Sequence, residues 1–117
     1  MGGVPPVATL PPEVIENRRT WATALRSGKY IQGQGYLLKD GKYCCLGVAC
    51  DLFDRDSLSH LEMESQDISD KTNVCLRLNP PTRGKLANMN DNGSSFKEIA
   101  DFIEKNIEDE NLGVSPL

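Results

Sequence analysis

No stretch of this sequence holds the roughly 18 consecutive apolar residues that a bilayer-crossing helix needs, so no transmembrane segment is expected. Its opening, MGGVPPVATLPP, lacks the basic start and long apolar core of a secretory leader. An intracellular chain with reduced thiols is the expectation that follows. Histidine occurs once, at His60, which leaves little for catalysis or metal binding that relies on imidazole. There is no C-x₂-C knuckle, no GK[ST] after the Gly33-Gln34-Gly35 pair, no internal repeat, and no low-complexity tract beyond the N-terminal arm.

What is present suits one domain. The chain has 117 residues, 38% hydrophobic and 26% charged, with a net charge of −4, and one domain of that size can bury a core without staples. The acidic balance disfavours non-specific attraction to phosphates, so nucleic acid is not expected as a partner. Charge is nonetheless unevenly spread. Glu13–Tyr43 holds six basic residues against three acidic ones, whereas Asp51–Asp70 holds seven acidic residues against Arg55. Such asymmetry steers partners more than it shapes a fold.

Residues 1–12 carry four of the seven prolines and two glycines, a composition that excludes a helix or a central strand. They read as an extended arm. Pro12 suits a helix start, and Val14, Arg18, Trp21 and Leu25 recur at helical spacing over 13–27, with Gly28 placed to end the helix. Tyr36–Lys39 and Lys42–Cys45 flank Asp40-Gly41, a strong hairpin signal because a type I′ turn needs positive φ at both central residues. The period then changes. Leu46, Ala49, Cys50 and Phe53 predict a helix over 45–53, in which Gly47 marks close approach of another backbone. Residues 54–73 read as a polar surface loop with a helical turn near Leu58–Met63. Val74–Leu78 alternates like a strand, ended by Asn79-Pro80-Pro81, and a short helix is expected over Arg83–Asn88. Ser95 and Glu98 match a capping box ahead of the apolar stripe Phe96, Ile99, Ala100, Ile103 and Ile107. The acidic residues after Glu104 oppose the helix dipole, so fraying is expected there.

Three groups invite chemistry. Cys44, Cys45 and Cys50, with Cys75 further on, sit in apolar surroundings, and small soft side chains filling a core is the favoured reading. A cysteine at a strand-to-helix junction can be activated, so Cys44 or Cys45 with His60 is the enzymatic alternative. The four cysteines, or three with His60, are the zinc alternative, weakened because adjacent strand residues face opposite ways. Asn88–Gly93 has oxygen-bearing residues at calcium-loop positions but Ile99 where a bidentate glutamate is needed, so it reads as a turn feeding the Ser95 cap. Arg18, Arg19, Arg26 and Lys29, with Tyr30 and Tyr36 nearby, form a basic surface read as solvated helix charge.

Trp21-x-x-Ala24-Leu25-Arg26-Ser27-Gly28-x-Tyr30-x-Gln32-Gly33-x-Gly35, Tyr43-Cys44-Cys45-Leu46-Gly47-Val48-x-Cys50-Asp51 and Leu86-x-x-x-Asn90-Asp91-x-Gly93-x-Ser95-Phe96-x-x-Ile99-Ala100 are fairly specific strings. Together they resemble a widespread family of small uncharacterised bacteriophage and prophage proteins, over residues 21–52 and 86–107. The resemblance implies a viral setting and no catalytic residue.

The expectations are therefore an α+β fold with a small antiparallel sheet including a hairpin at about 36–45, packed on two or three helices at about 13–27, 45–53 and 95–108. The arm 1–12, one globular domain over 13–112 and a tail 113–117 make up the chain. The expected core includes Trp21, Leu25, Leu37, Cys45, Leu46, Phe53 and Ile99, with Cys75 at its margin. No enzyme, cofactor or metal is expected. The favoured function is that of a non-enzymatic phage accessory protein that binds a host or viral protein in the host cytoplasm. The alternatives are a virion component using its arm as a clasp, and a thiol-dependent hydrolase. Contact candidates are Pro5, Pro6, Leu10 and Pro11 on the arm, Arg19 and Arg26 on the first helix, and Asp54 and Asp56 beyond the second.

Overall fold

Proline opens the first helix. The computed structural model describes residues 10–59 and 68–114, and in it α1 runs Pro12–Arg26 with prolines at its start. The fixed φ of proline suits a first turn whose N–H groups lack helical acceptors in any case, and the Pro11 carbonyl accepts the Val14 amide at 3.0 Å. Val14, Arg18, Trp21, Ala22 and Leu25 make its buried row. Gly28, at φ 79°, then turns the chain away. Leu10, assigned above to the arm, is 2% exposed and belongs to the core, so the described end of the arm closes onto the domain.

The hairpin forms as its turn chemistry predicts, with Asp40 and Gly41 at φ 54° and 77°. Its strands are only two residues each, β1 Leu38–Lys39 and β2 Lys42–Tyr43, antiparallel with Leu38 opposite Tyr43 and Lys39 opposite Lys42. Residues 31–33 run parallel to the far side of β2, where the Tyr43 amide reaches the Ile31 carbonyl at 2.8 Å and the Gly33 amide reaches the Tyr43 carbonyl at 2.7 Å. So small a ribbon needs cover. It takes this from α2, Cys45–Phe53, whose residues 45–50 are all buried. Gly47 makes that packing possible, because a Cβ there would stand 1.8 Å from the Leu37 carbonyl oxygen.

Beyond a 3₁₀ turn at Arg55–Ser59 lie two helices, one where a strand is expected and one that contains the expected Arg83–Asn88 helix but starts earlier. Asp70–Leu76 is helix α3 rather than a strand. Ser69 caps it by accepting the Thr72 amide at 3.2 Å. Thr72 and Leu76, four apart, face inward, while Val74 is exposed. Asn79-Pro80-Pro81 does not terminate an element but starts one, α4 Pro80–Asp91, with Asn79 accepting the Thr82 amide at 2.9 Å. Helix α5, Phe96–Lys105, has the expected capping box, with Ser95 N to Glu98 Oε1 at 2.8 Å and Glu98 N to Ser95 Oγ at 3.1 Å. It packs on α1, and Arg26 bridges the two through Asp101 at 2.5 Å and Glu104. The fold is mixed α+β and mostly helical, with five α-helices and one two-stranded sheet among the described residues. The expected core is largely present, though Phe53 and Cys75 are only half-buried.

Arg18, placed above on a basic surface, is fully buried. Its Nε donates to Leu76 O at 3.0 Å. Nη1 donates to Ile107 O at 3.0 Å and Asp109 O at 2.7 Å, and Nη2 to Arg77 O at 3.2 Å and Glu110 O at 3.1 Å. Five guanidinium donors thus meet five carbonyls. Burial lowers the pKa of Arg18, and the neighbouring Glu110 and Asp109 work against that. The clamp gathers the end of α3 and the acidic segment after α5. That segment continues past Lys105 in hydrogen-bonded turns, and Arg77 pairs with Glu110 at 3.3 Å.

Candidate functional site

The three motif segments converge on Asn90. This side chain lies on the last turn of α4 and is wholly buried. Its Oδ1 accepts from Gln32 Nε2 at 2.9 Å and from the Cys45 amide, the first of α2, at 3.2 Å. Its Nδ2 donates to Gly33 O at 2.7 Å. One buried amide therefore fastens the 30–35 loop and satisfies a helix N–H that would otherwise lack an acceptor. Around it, Gln32 Nε2 also reaches Ser94 O at 2.8 Å, Gln34 Nε2 reaches Asn90 O at 3.2 Å, and the Gly35 amide reaches Asp91 Oδ1 at 2.9 Å. Asn88–Gly93, read above as a turn feeding the Ser95 cap, does end in that turn at Asn92-Gly93, but Asn90 in the middle of it is a buried hub.

This network sets the walls of a polar cleft of about 480 Å³. Gln32, Gly33 and Gln34 come from the loop, Tyr36, Lys39, Asp40 and Lys42 from the hairpin, and Gly93 and Ser94 from the turn after α4. A Cβ on Gly33 would come within 2.7 Å of Lys42 Cβ, so glycine lets the loop lie against the lysine stem. Lys39 Nζ sits 4.4 Å above the Tyr36 ring centre.

A second, shallower depression of about 340 Å³ lies over the end of α2, lined by residues 51–56 and Lys71. Asp51 anchors it, accepting from the Tyr30 hydroxyl at 2.6 Å and from Arg55 Nε at 2.9 Å. Tyr30 packs edge-on against Tyr43, with ring centres 5.0 Å apart. Desolvation first, and Asp51 beside it second, push the Tyr30 phenol up to about 12, so it stays protonated near neutrality.

The cysteines lie inside. Cys44, Cys45 and Cys50 are buried, Cys75 is half-buried, and none is in a disulfide. Cys44 serves as the cap of α2, its sulfur accepting the Gly47 amide at 3.3 Å. Cys45 Sγ donates to Leu86 O at 3.6 Å, and its carbonyl accepts from Trp21 Nε1 at 2.9 Å. Burial drives the Cys45 thiol well above its ordinary value and raises Cys50 too. A thiol so placed is a poor nucleophile. Among the described residues no three His, Cys, Asp or Glu side chains gather as a metal-binding group, and His60 lies outside them.

The sequence-derived contact candidates do not form one site. Pro5 and Pro6 lie outside the described residues. Leu10 is buried, and exposed Pro11 caps α1. Arg19 pairs with Glu16 at 3.4 Å, and Arg26 is engaged by α5. Asp54 and Asp56 share the shallow depression. The residues of the polar cleft were not among the candidates, although Gln32, Gly33 and Gly93 stand in the motif strings.

Fold and cleft together define a small, mainly helical α+β domain with a polar cleft between its hairpin and the end of its fourth helix. Residues 14–83, more than half of the chain, match the family described as a domain of unknown function, DUF8296, and the chain belongs to that family. No curated protein and no solved structure matches it. Among the described residues, no helix is long and apolar enough to cross a membrane.

Proposed function

We propose that this chain is a non-enzymatic binding protein, a phage accessory factor that docks on a host or viral protein in the host cytoplasm. One observation carries the reading: Cys44, Cys45 and Cys50 are buried, while polar side chains line an open cleft. The Cys45 sulfur is buried and holds its proton against a carbonyl, whereas two lysines, a tyrosine and two glutamines line an open cleft. The phage setting rests on the resemblance of the three motif strings. A viral accessory factor of this kind acts by occupying a surface of its target, and an open polar cleft suits that task.

Quantitative co-purification tests it. A tagged chain expressed in bacterial cells, with and without phage infection, is expected to enrich one protein over a tag-only control. That protein, purified, is then expected to bind the purified chain saturably. Enrichment of nothing over the control in both conditions overturns the proposal.

A further inference from the structure

We infer that the polar cleft receives an extended acidic segment of a partner protein, gripped by Lys39 and Lys42. The inference rests on the binding-protein reading and names the chemistry of its partner. Lys39 and Lys42 are direct cross-strand neighbours. Like charges at that position are destabilising, and a ribbon of two two-residue strands has little else to offset them. A local rule broken beside a cleft points to use rather than architecture.

The contrast is with the arginines, not with the other lysines, none of which enters an ion pair among the described residues. Arg18, Arg19, Arg26, Arg55, Arg77 and Arg83 each donate to a carboxylate or a carbonyl. Lys39 and Lys42 enter no ion pair among the described residues; Lys39 Nζ lies over the Tyr36 ring, and Lys42 has its stem beside Gly33. Gln32 and Gln34 spend their amide N–H groups on Asn90 and Ser94. Their side-chain oxygens, which receive no hydrogen bond among the described residues, remain to accept peptide N–H groups. Two lysines and two glutamines lining one cleft match carboxylates carried on an amide backbone. The volume of about 480 Å³ falls within the roughly 300–1,000 Å³ of ligand sites, but the lining is polar where small-molecule pockets are mostly apolar.

Nucleic acid fits less well. Two cations release few counterions, so a phosphate backbone gains little affinity there. Tyr36, the aromatic ring in the cleft, has a face covered by Lys39 and so is poorly offered for base stacking.

The test is fluorescence anisotropy of a labelled oligoglutamate peptide titrated with the full chain at low salt, with oligoglutamine, a single-stranded oligonucleotide and inorganic phosphate as competitors. The expected result is saturable binding to the oligoglutamate that the competitors do not displace. K39Q/K42Q is expected to weaken it at least about tenfold, equivalent to about 1.4 kcal/mol, with no fall in Tm. Amide shifts in NMR are expected to concentrate at Gly33, Gln34 and the hairpin. Absence of saturable binding, binding unchanged in K39Q/K42Q, or displacement by the oligonucleotide or by phosphate overturns the inference. A purified protein partner that binds K39Q/K42Q as well as it binds the parent chain also overturns it, while leaving the broader reading standing. Lysine-dependent peptide binding with no protein captured does the reverse.

Discussion

Two polar centres of the domain, the buried Arg18 and the hairpin lysines, are built on opposite principles. At Arg18 every donor is used: five N–H groups meet five carbonyls in a space closed to water. At the hairpin, Lys39 and Lys42 have no carboxylate partner among the described residues and face a cleft. The saturated centre is architecture, because a buried charge persists only when its bonds are complete. The open centre carries an electrostatic penalty that the fold tolerates. Charge alone does not tell the two apart, since both read as basic residues in the same half of the sequence. Bond saturation does.

The comparison breaks most visibly at Arg18. Arg18→Met keeps the length of the side chain but orphans five carbonyls. Breaking a buried charged network in this way is expected to cost about 3–5 kcal/mol, a large share of the roughly 5–15 kcal/mol that holds a domain together. Urea unfolding followed by Trp21 fluorescence measures it. Arg18→Lys is expected to recover little, because three rotatable donors cannot reproduce a planar fork of five. A midpoint within the error of the parent chain for either variant would remove Arg18 from the architecture.

Asn90 stands between the two extremes, a saturated group that supports the open site. Asn90→Ala orphans the Cys45 amide and the Gly33 carbonyl, with an expected loss of about 1–3 kcal/mol. The loss has a location as well. Hydrogen exchange at Gly33 and Gly35 is expected to accelerate far more than exchange in α5, because the 30–35 loop loses its tether while the helix stripe keeps its packing. Uniform acceleration across the chain would deny Asn90 its role as the local fastening of the cleft.

How much of this was legible depended on the range of the interaction. The Asp40-Gly41 turn, the Ser95–Glu98 box and the 45–53 helix are written in neighbouring residues, and each stands where the sequence places it. Gly47 was also legible, as a small residue in a helix interior that another backbone must approach. Helix α3 and the Pro-led start of α4 were not, although Arg83–Asn88, inside α4, reads as a helix. A seven-residue helix repeats its period too few times to outweigh the alternation of Val74, Leu76 and Leu78, and Pro80-Pro81 opens a helix as readily as it closes a strand. Arg18 carries a usable sign, since it occupies the same apolar row as Val14, Trp21 and Leu25, but an arginine in such a row reads just as well as a solvated charge. The cleft was hidden for a different reason. Gln32 and Asn90 are 58 residues apart, and nothing local to either announces the other.

Alkaline pH probes the neighbouring Tyr30. Its folded pKa of about 12 lies above the ordinary 10.0, so the unfolded chain releases this proton first. Stability from the Tyr30–Asp51 contact is therefore complete below pH 10.0 and lost as pH rises from there towards about 12. Because the phenol is only partly buried, the loss is expected to be smaller than that from Asn90→Ala. Tyr30→Phe is the control: urea midpoints of the variant are expected to fall less steeply over that interval than those of the parent. Parallel slopes would separate Tyr30 from the pH response.

The smallest effect has the opposite sign, which makes it the sharpest discriminator between the two centres. Lys42→Gln keeps the stem that packs on Gly33 and removes the charge facing Lys39, so it is expected to raise stability by about 0.2–1 kcal/mol, where any loss at Arg18 lowers it. The gain is electrostatic and must shrink as the Debye length falls from about 10 Å at 0.1 M salt to about 3 Å at 1 M. Thermal unfolding of parent and variant at both salt concentrations checks this. A gain that persists unchanged at high salt would trace to strand propensity instead, and a loss at either concentration would mean that Lys42 has a structural partner and that the hairpin is as saturated as Arg18.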